Sequence, residues 1–216
     1  MKTIDTINLS SRFYKDKYMQ QLPNLQFFYN KDSETLDIIL HGVSEGMEST
    51  FIQKLVKKSK ESKHSTVTFN FPFLDRKESN SSSPELKEEL NTLNSVLSFI
   101  NADYYKNINL IAKSFGGIVA SYFLRDLPLN QHNRYSITIL GYVIGNVDLK
   151  TFTGKIRIIQ GQMDRFGDIE AVKKDLKSAI SKNIDFIEIP KADHSYRDPD
   201  TKESKFEDIA INEVIL

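Results

Sequence analysis

The chain has 216 residues, of which 39% are hydrophobic and 27% charged, the profile of a globular protein with one core, and we read it as a single domain over residues 1–216. Lys plus Arg and Asp plus Glu both total 29, so no net field draws nucleic acid or an anionic membrane surface, and neither is expected as a partner. Cysteine is absent, which excludes a disulfide framework, a thiolate metal site and a Cys nucleophile.

Short runs rich in Ile, Val and Phe alternate with longer amphipathic segments, the order expected of an α/β protein with a mostly parallel sheet and helices on both faces. The predicted strands are Leu25 to Tyr29, Leu36 to Leu40, Thr66 to Phe71, Asn107 to Ala112, Ser136 to Gly141, Ile156 to Gln160 and Asp185 to Ile189. The first two flank the polar turn Asn30-Lys31-Asp32-Ser33-Glu34 and read as an antiparallel N-terminal hairpin. Predicted helices cover Ser49 to Ser62, Ser83 to Ile100, Phe115 to Arg125 and Asp168 to Ser181. In the second of these Ser83 is the expected cap and Pro84 the first helical residue, with Leu86, Leu90, Leu93, Leu97 and Ile100 at helical spacing. The polar stretch from Asp75 to Ser83 reads as a mobile loop. Of nine glycines, eight fall shortly after a predicted strand: Gly42, Gly46, Gly116, Gly117, Gly141, Gly145, Gly161 and Gly167. That edge, the carboxyl end of the strands, is where an open α/β sheet holds its ligand.

The segment Asn109 to Ala120 joins an apolar strand, a turn at Ser114 and a helix of small residues. A nucleophile on such a turn sits in strained backbone and needs small neighbours, here Ala112 and Gly116, so that strand and helix can approach. The helix amino terminus then presents the Phe115 N–H as a first oxyanion donor. A serine acting only as a helix cap would not need Gly116-Gly117 behind it. This segment resembles the nucleophile elbow of the α/β-hydrolase superfamily, and the short chain is similar to its small, lidless serine esterases and dienelactone-hydrolase-like members. The resemblance runs from about Leu36 to His194, with Ala112 where glycine is commoner and Ser114 where dienelactone hydrolases carry Cys.

The family's order places the general base after the last strand, which selects His194 from His41, His64, His132 and His194. His64 and His132, in polar connections, read as solvated surface residues. Asp164, in Gly161-Gln162-Met163-Asp164, resembles the family's acid turn. Asp168 is its rival in the same loop but reads well as a helix cap, and Asp193 adjoins the histidine too closely to face it. His41-Gly42 matches the family's His-Gly turn, which implies the Val43 N–H as second oxyanion donor and a structural, loop-holding role for His41.

The resemblance thus implies a serine hydrolase that cleaves a small-molecule carboxylic ester or thioester through an acyl-enzyme on Ser114, with no cofactor and no metal. Gly42, Tyr142 and Met163 are the expected substrate-binding residues, with Phe71, Phe73 and Phe115 as acyl-pocket candidates that core packing explains equally well. Some thirteen residues between Gly141 and Lys155 are too few for a lid domain. Activity is expected to rise as His194 deprotonates, near the ordinary imidazole pKa of roughly 6.5 unless Asp164 raises it. Two alternatives stand: a non-catalytic ligand-binding protein of the same fold, and an acyltransferase using the same triad. Met1 to Ser10 lacks a secretory h-region and no stretch reaches roughly 20 apolar residues, so a cytoplasmic location is expected.

Overall fold

The computed structural model describes residues 6–9, 22–78, 81 and 85–215. They fall into two compact units that divide between Ile108 and Asn109.

The first unit contains β1 (Thr6–Leu9), β2 (Leu25–Phe28), β3 (Thr35–Leu40), α1 (Thr50–Glu61), β4 (Ser65–Phe69), α2 (Pro72–Asp75) and α3 (Lys87–Phe99), with strand order β1-β2-β4-β3. Helix α1 begins where Ser49 accepts a hydrogen bond from the Ile52 N–H, and its buried stripe of Phe51, Ile52, Leu55 and Val56 packs on β3 and β4. That crossover makes β3 and β4 parallel neighbours. It also corrects the expected hairpin: β4 occupies the slot beside β3, so the antiparallel β2 hydrogen-bonds to β4 and β1 instead. The expected helix Ser83 to Ile100 is described from Lys87 to Phe99 and follows Leu86 in left-handed backbone (φ +52°), while Ser83 and Pro84 lie outside the described residues. Of the expected loop from Asp75 to Ser83, Asp75 ends α2 and residues 79, 80, 82 and 83 lie outside the described residues.

The second unit contains nearly all of β5 (Asn107–Lys113), then α4 (Phe115–Arg125), β6 (Tyr135–Leu140), β7 (Lys155–Gly161), α5 (Ile169–Asp175), β8 (Ile184–Ile189) and α6 (Glu207–Asn212). Its strand order is β5-β6-β7-β8, with β6, β7 and β8 parallel. Ile156, Ile158 and Ile159 of β7 are fully buried, as a strand covered on both faces requires. Helix α4 packs on β6 and α5 on β8. Residues 141–154, between β6 and β7, hold turns and no helix. The helix expected to reach Ser181 ends at Asp175 and passes into a single 3₁₀ turn, Leu176–Ser178.

Two histidines expected at the surface are structural. His132 is 1% exposed; its Nε2 donates to the Leu127 carbonyl at 3.1 Å and its Nδ1 accepts from the Thr153 N–H at 3.2 Å. His64 pairs through Nδ1 with Asp37 Oδ2 at 3.0 Å. Asp37 is fully buried in β3 and its Oδ2 also accepts from Ser59 Oγ at 2.5 Å, so a carboxylate costly to bury is supplied with donors. The hydrogen bond that His64 donates to Asp37 raises the His64 pKa above its ordinary value, against the opposing effect of burial. A raised folded-state pKa contributes stability below the unfolded value of about 6.5 and loses it as pH rises through the folded value. The stability difference between the native chain and His64→Ala in urea denaturation is therefore expected to be larger at about pH 5.5 than at about pH 8.5. A difference that grows with pH would refute the pairing.

Candidate active site

The end of β5 turns into α4 at Ser114, whose backbone (φ +49°, ψ −112°) lies outside the regions L-residues favour. Such a conformation costs on the order of 1–3 kcal/mol and persists only where its surroundings fix it. Here the Ser114 N–H donates to the Leu140 carbonyl at 2.9 Å, and the Gly117 N–H donates to the Ser114 carbonyl at 2.8 Å. A Cβ on Gly117 would stand 2.8 Å from Ile139 Cγ2, so glycine there lets α4 approach β6. Ser114 and His194 are half-buried.

His194 lies in the turn after β8 and spans two partners. Its Nε2 is 2.7 Å from Ser114 Oγ and its Nδ1 is 2.7 Å from Asp164 Oδ2. A carboxylate only accepts, so Nδ1 carries the proton and Nε2 offers its lone pair to the serine hydroxyl. Asp164 follows β7, and its side chain is completely buried. The Phe166 N–H donates to its Oδ1 at 2.8 Å and Gln160 Nε2 donates to its Oδ2 at 3.0 Å. Gln160 donates again to the Gly167 carbonyl at 2.7 Å and accepts from the Tyr142 N–H at 2.7 Å, tying the acid turn to the chain after β6. Burial lowers the His194 pKa below its ordinary value; the Lys113 and Arg165 cations lower it further, and together these outweigh Asp164. The expected value near 6.5 or above is thereby corrected downward.

The rival carboxylates are committed elsewhere. Asp168 caps α5 by accepting from the Ala171 N–H at 2.8 Å, and Asp193 Oδ1 accepts from the Ser195 and Arg197 N–H groups. Phe115 is the first residue of α4 and is 8% exposed. In the first unit, Gly42 and the 45% exposed Val43 follow β3. They adjoin His41, whose Nδ1 donates to the Gly42 carbonyl at 2.5 Å and whose Nε2 accepts from the Phe71 N–H at 2.9 Å. His41 is fully buried, which lowers its pKa and suits this neutral form. Phe71 and Phe73 are also fully buried, their rings 4.7 and 6.2 Å from the His41 ring.

Met163 is 57% exposed beside Asp164. Tyr142 is fully buried and its hydroxyl donates to Asp175 Oδ2 at 2.9 Å. Three residues at the site escape the sequence reading. Gln160 could have been noticed as a polar residue ending an apolar strand, and Lys113 as a cation between such a strand and the serine. Phe166, 37% exposed, sets its ring edge-on to His194 with centroids 4.6 Å apart, and had no signal beyond lying near Asp164. Among the described residues no group of three or more His, Cys, Asp or Glu could hold a metal ion, and no helix is long and apolar enough to cross a membrane.

The sequence matches the family model described as an alpha/beta hydrolase domain over residues 33–215. Among solved structures the chain is similar to an α/β serine hydrolase homologue from Coxiella burnetii, at 17% identity over 100% of this chain and 99% of that one, with a TM-score of 0.68. It is similar also to an α/β serine hydrolase without lid from Xanthomonas campestris, at 17% identity, 89% and 85% coverage and a TM-score of 0.64. An esterase from Pyrococcus furiosus shares 13% identity over 97% of this chain and 91% of its own, with a TM-score of 0.66. At these identities the likeness is one of fold. No protein of curated description matches the sequence.

The left-handed φ at Ser114 gives a test of stored strain. Glycine adopts that conformation without the Cβ conflict, so Ser114→Gly is expected to be more stable than Ser114→Ala by about 1 kcal/mol in urea denaturation. Equal stabilities would mean that the elbow stores no strain.

Proposed function

The chain belongs to the alpha/beta hydrolase family, and from that premise we propose that it is a serine hydrolase that cleaves a small carboxylic ester or thioester through an acyl-enzyme on Ser114. One observation carries the reading: a single imidazole stands 2.7 Å from a serine hydroxyl on one side and 2.7 Å from a buried carboxylate on the other. In acylation, Ser114 Oγ bonds to the acyl carbon as His194 Nε2 takes its proton, and the carbonyl electron pair moves onto oxygen. Phe115 is the first residue of α4, and its N–H with the positive end of that helix are the proposed donors to that developing charge. Asp164 steadies the imidazolium, which then gives the proton to the departing alcohol or thiol. Water repeats the sequence on the acyl-enzyme, with His194 as base, and frees the acid.

Several features support an open site for a small substrate. Ser114 and His194 are half-buried, residues 141–154 hold no helix, and the exposed Met163 and Phe166 offer apolar surface beside the acid and the base. An ester substrate also accords with the esterase among the similar structures.

A fluorophosphonate probe is expected to label the native chain and not Ser114→Ala. Against short-chain esters, Ser114→Ala is expected to lose about 10⁶-fold in kcat and Asp164→Asn about 10⁴-fold. The lowered His194 pKa sets the sign of the pH profile: the base is neutral above its pKa, so kcat/KM should rise along an acid limb centred below about 6.5 and stay level above it. Hydrolysis retained by Ser114→Ala, or a limb centred above about 7, would overturn the assignment.

A further inference from the structure

Lys113 is the last residue of β5 and the chain neighbour of Ser114. Its ammonium donates to the main-chain carbonyl of His194 at 2.6 Å, while the imidazole of that same residue meets Ser114 Oγ at 2.7 Å. These two bonds close a ring. It runs from Ser114 along the backbone to Lys113, through the lysine side chain to the His194 carbonyl, and through the imidazole back to the serine oxygen.

The ammonium has a built seat. It lies 5.1 Å from the ring centroid of the fully buried Tyr196, whose hydroxyl donates to the Ile159 carbonyl at 2.7 Å. Gly141, in left-handed backbone at φ +75°, passes so close that a Cβ there would stand 2.8 Å from Lys113 Nζ and 2.9 Å from His194 Cε1. An apolar side chain would fill this space without the desolvation cost of a cation, so packing alone does not account for a lysine.

We infer that Lys113 is a positioning residue that fastens the turn bearing His194 to the elbow bearing Ser114, fixing the distance between base and nucleophile. The inference rests on the serine hydrolase reading of the site. The turn is tied to the acid turn by the Met163 N–H bonded to the Ala192 carbonyl at 2.8 Å and to β7 by the Tyr196 hydroxyl, and Lys113 adds the tie to the elbow itself. Misplacement of the imidazole by about 1 Å costs on the order of 100-fold in rate. The charge has a second effect. The charged groups facing the imidazole are Asp164 at Nδ1 and the cations Lys113 and Arg165, and the two cations add to burial in holding its pKa below the ordinary value. Losing Lys113 should therefore loosen the base and raise its pKa together, whereas a residue that merely filled space would leave the titration where it was.

The test compares Lys113→Met, which removes donor and charge, with Lys113→Arg, which keeps both. Lys113→Met is expected to lower kcat on a short-chain ester about 10- to 100-fold with KM changed less than about 2-fold. The His194 imidazole, followed by NMR and assigned with His194→Gln, is expected to titrate at higher pH than in the native chain. Lys113→Arg should restore most of kcat and the native titration. If Lys113→Met does not fold, Lys113→Gln removes the charge in a polar side chain and should show the same upward shift. A titration unchanged in Lys113→Met or Lys113→Gln, or an unchanged kcat, would overturn the clamp. The titration needs no turnover, so this failure is distinct from that of the hydrolase reading, which is lost on the activity of Ser114→Ala or the pH profile of the native chain.

Discussion

The second unit is organised around one backbone conformation, the left-handed turn at Ser114. Held there, the serine oxygen stands off the end of β5, and α4 must start at the next residue and run back close to β6. The hydrogen bond from Ser114 N–H to the Leu140 carbonyl fixes the turn to the end of β6, and Gly117 supplies the clearance against Ile139. Gly141 then gives the lysine and the imidazole room over the same strand end. Strain at one residue is tolerable because several separate contacts, none costly in itself, over-determine it.

Among the described residues, two histidine–aspartate pairs have similar geometry and opposite electrostatics. His64 meets Asp37 at 3.0 Å and its pKa rises; His194 meets Asp164 at 2.7 Å and its pKa falls. At His64 the hydrogen bond to Asp37 outweighs burial and the pKa rises; at His194 burial is the largest effect, the Lys113 and Arg165 cations add to it, and together they outweigh Asp164. One pair is thereby suited to bind a proton and hold β3 to the connection before β4. The other is suited to stand empty-handed beside a hydroxyl and accept its proton only when charge develops.

Much of this was legible in the sequence because strand ends and chain order carry it. An apolar run followed by Ser114-Phe115-Gly116-Gly117 predicts both the boundary of α4 and the turn before it, and Asp164 and His194 each follow a strand as the resemblance implies. What escaped depends on contacts between segments distant in sequence. The partner of β2 is set by where the α1 crossover delivers β4, which no local pattern encodes. Tyr142 reads in the sequence as an aromatic candidate for the pocket, and its hydroxyl is bonded to Asp175, 33 residues on. Helices α2 and α6, of four and six residues, are too short to show a period. His64 and His132 sit in polar connections and are nonetheless claimed by acceptors elsewhere in their units.

The choice of acid shows how such non-local contacts decide a site. The sequence offers three candidate aspartates, Asp164 and Asp168 after β7 and Asp193 beside the histidine, and simple proximity in sequence would favour Asp193. A carboxylate can orient an imidazole only if its oxygen is aimed at Nδ1 and kept there. Asp193 aims instead at the amides of its own turn, and Asp168 at the first turn of α5. Asp164 alone among them is gripped on both oxygens, by the Phe166 amide and the Gln160 side chain, in the orientation that leaves Oδ2 against His194. Gln160 reaches it from the end of β7 while also holding the chain after β6 through Tyr142. The acid is therefore aligned by a neutral side chain that spans two strand ends, a role that resides in the fold as much as in the aspartate itself.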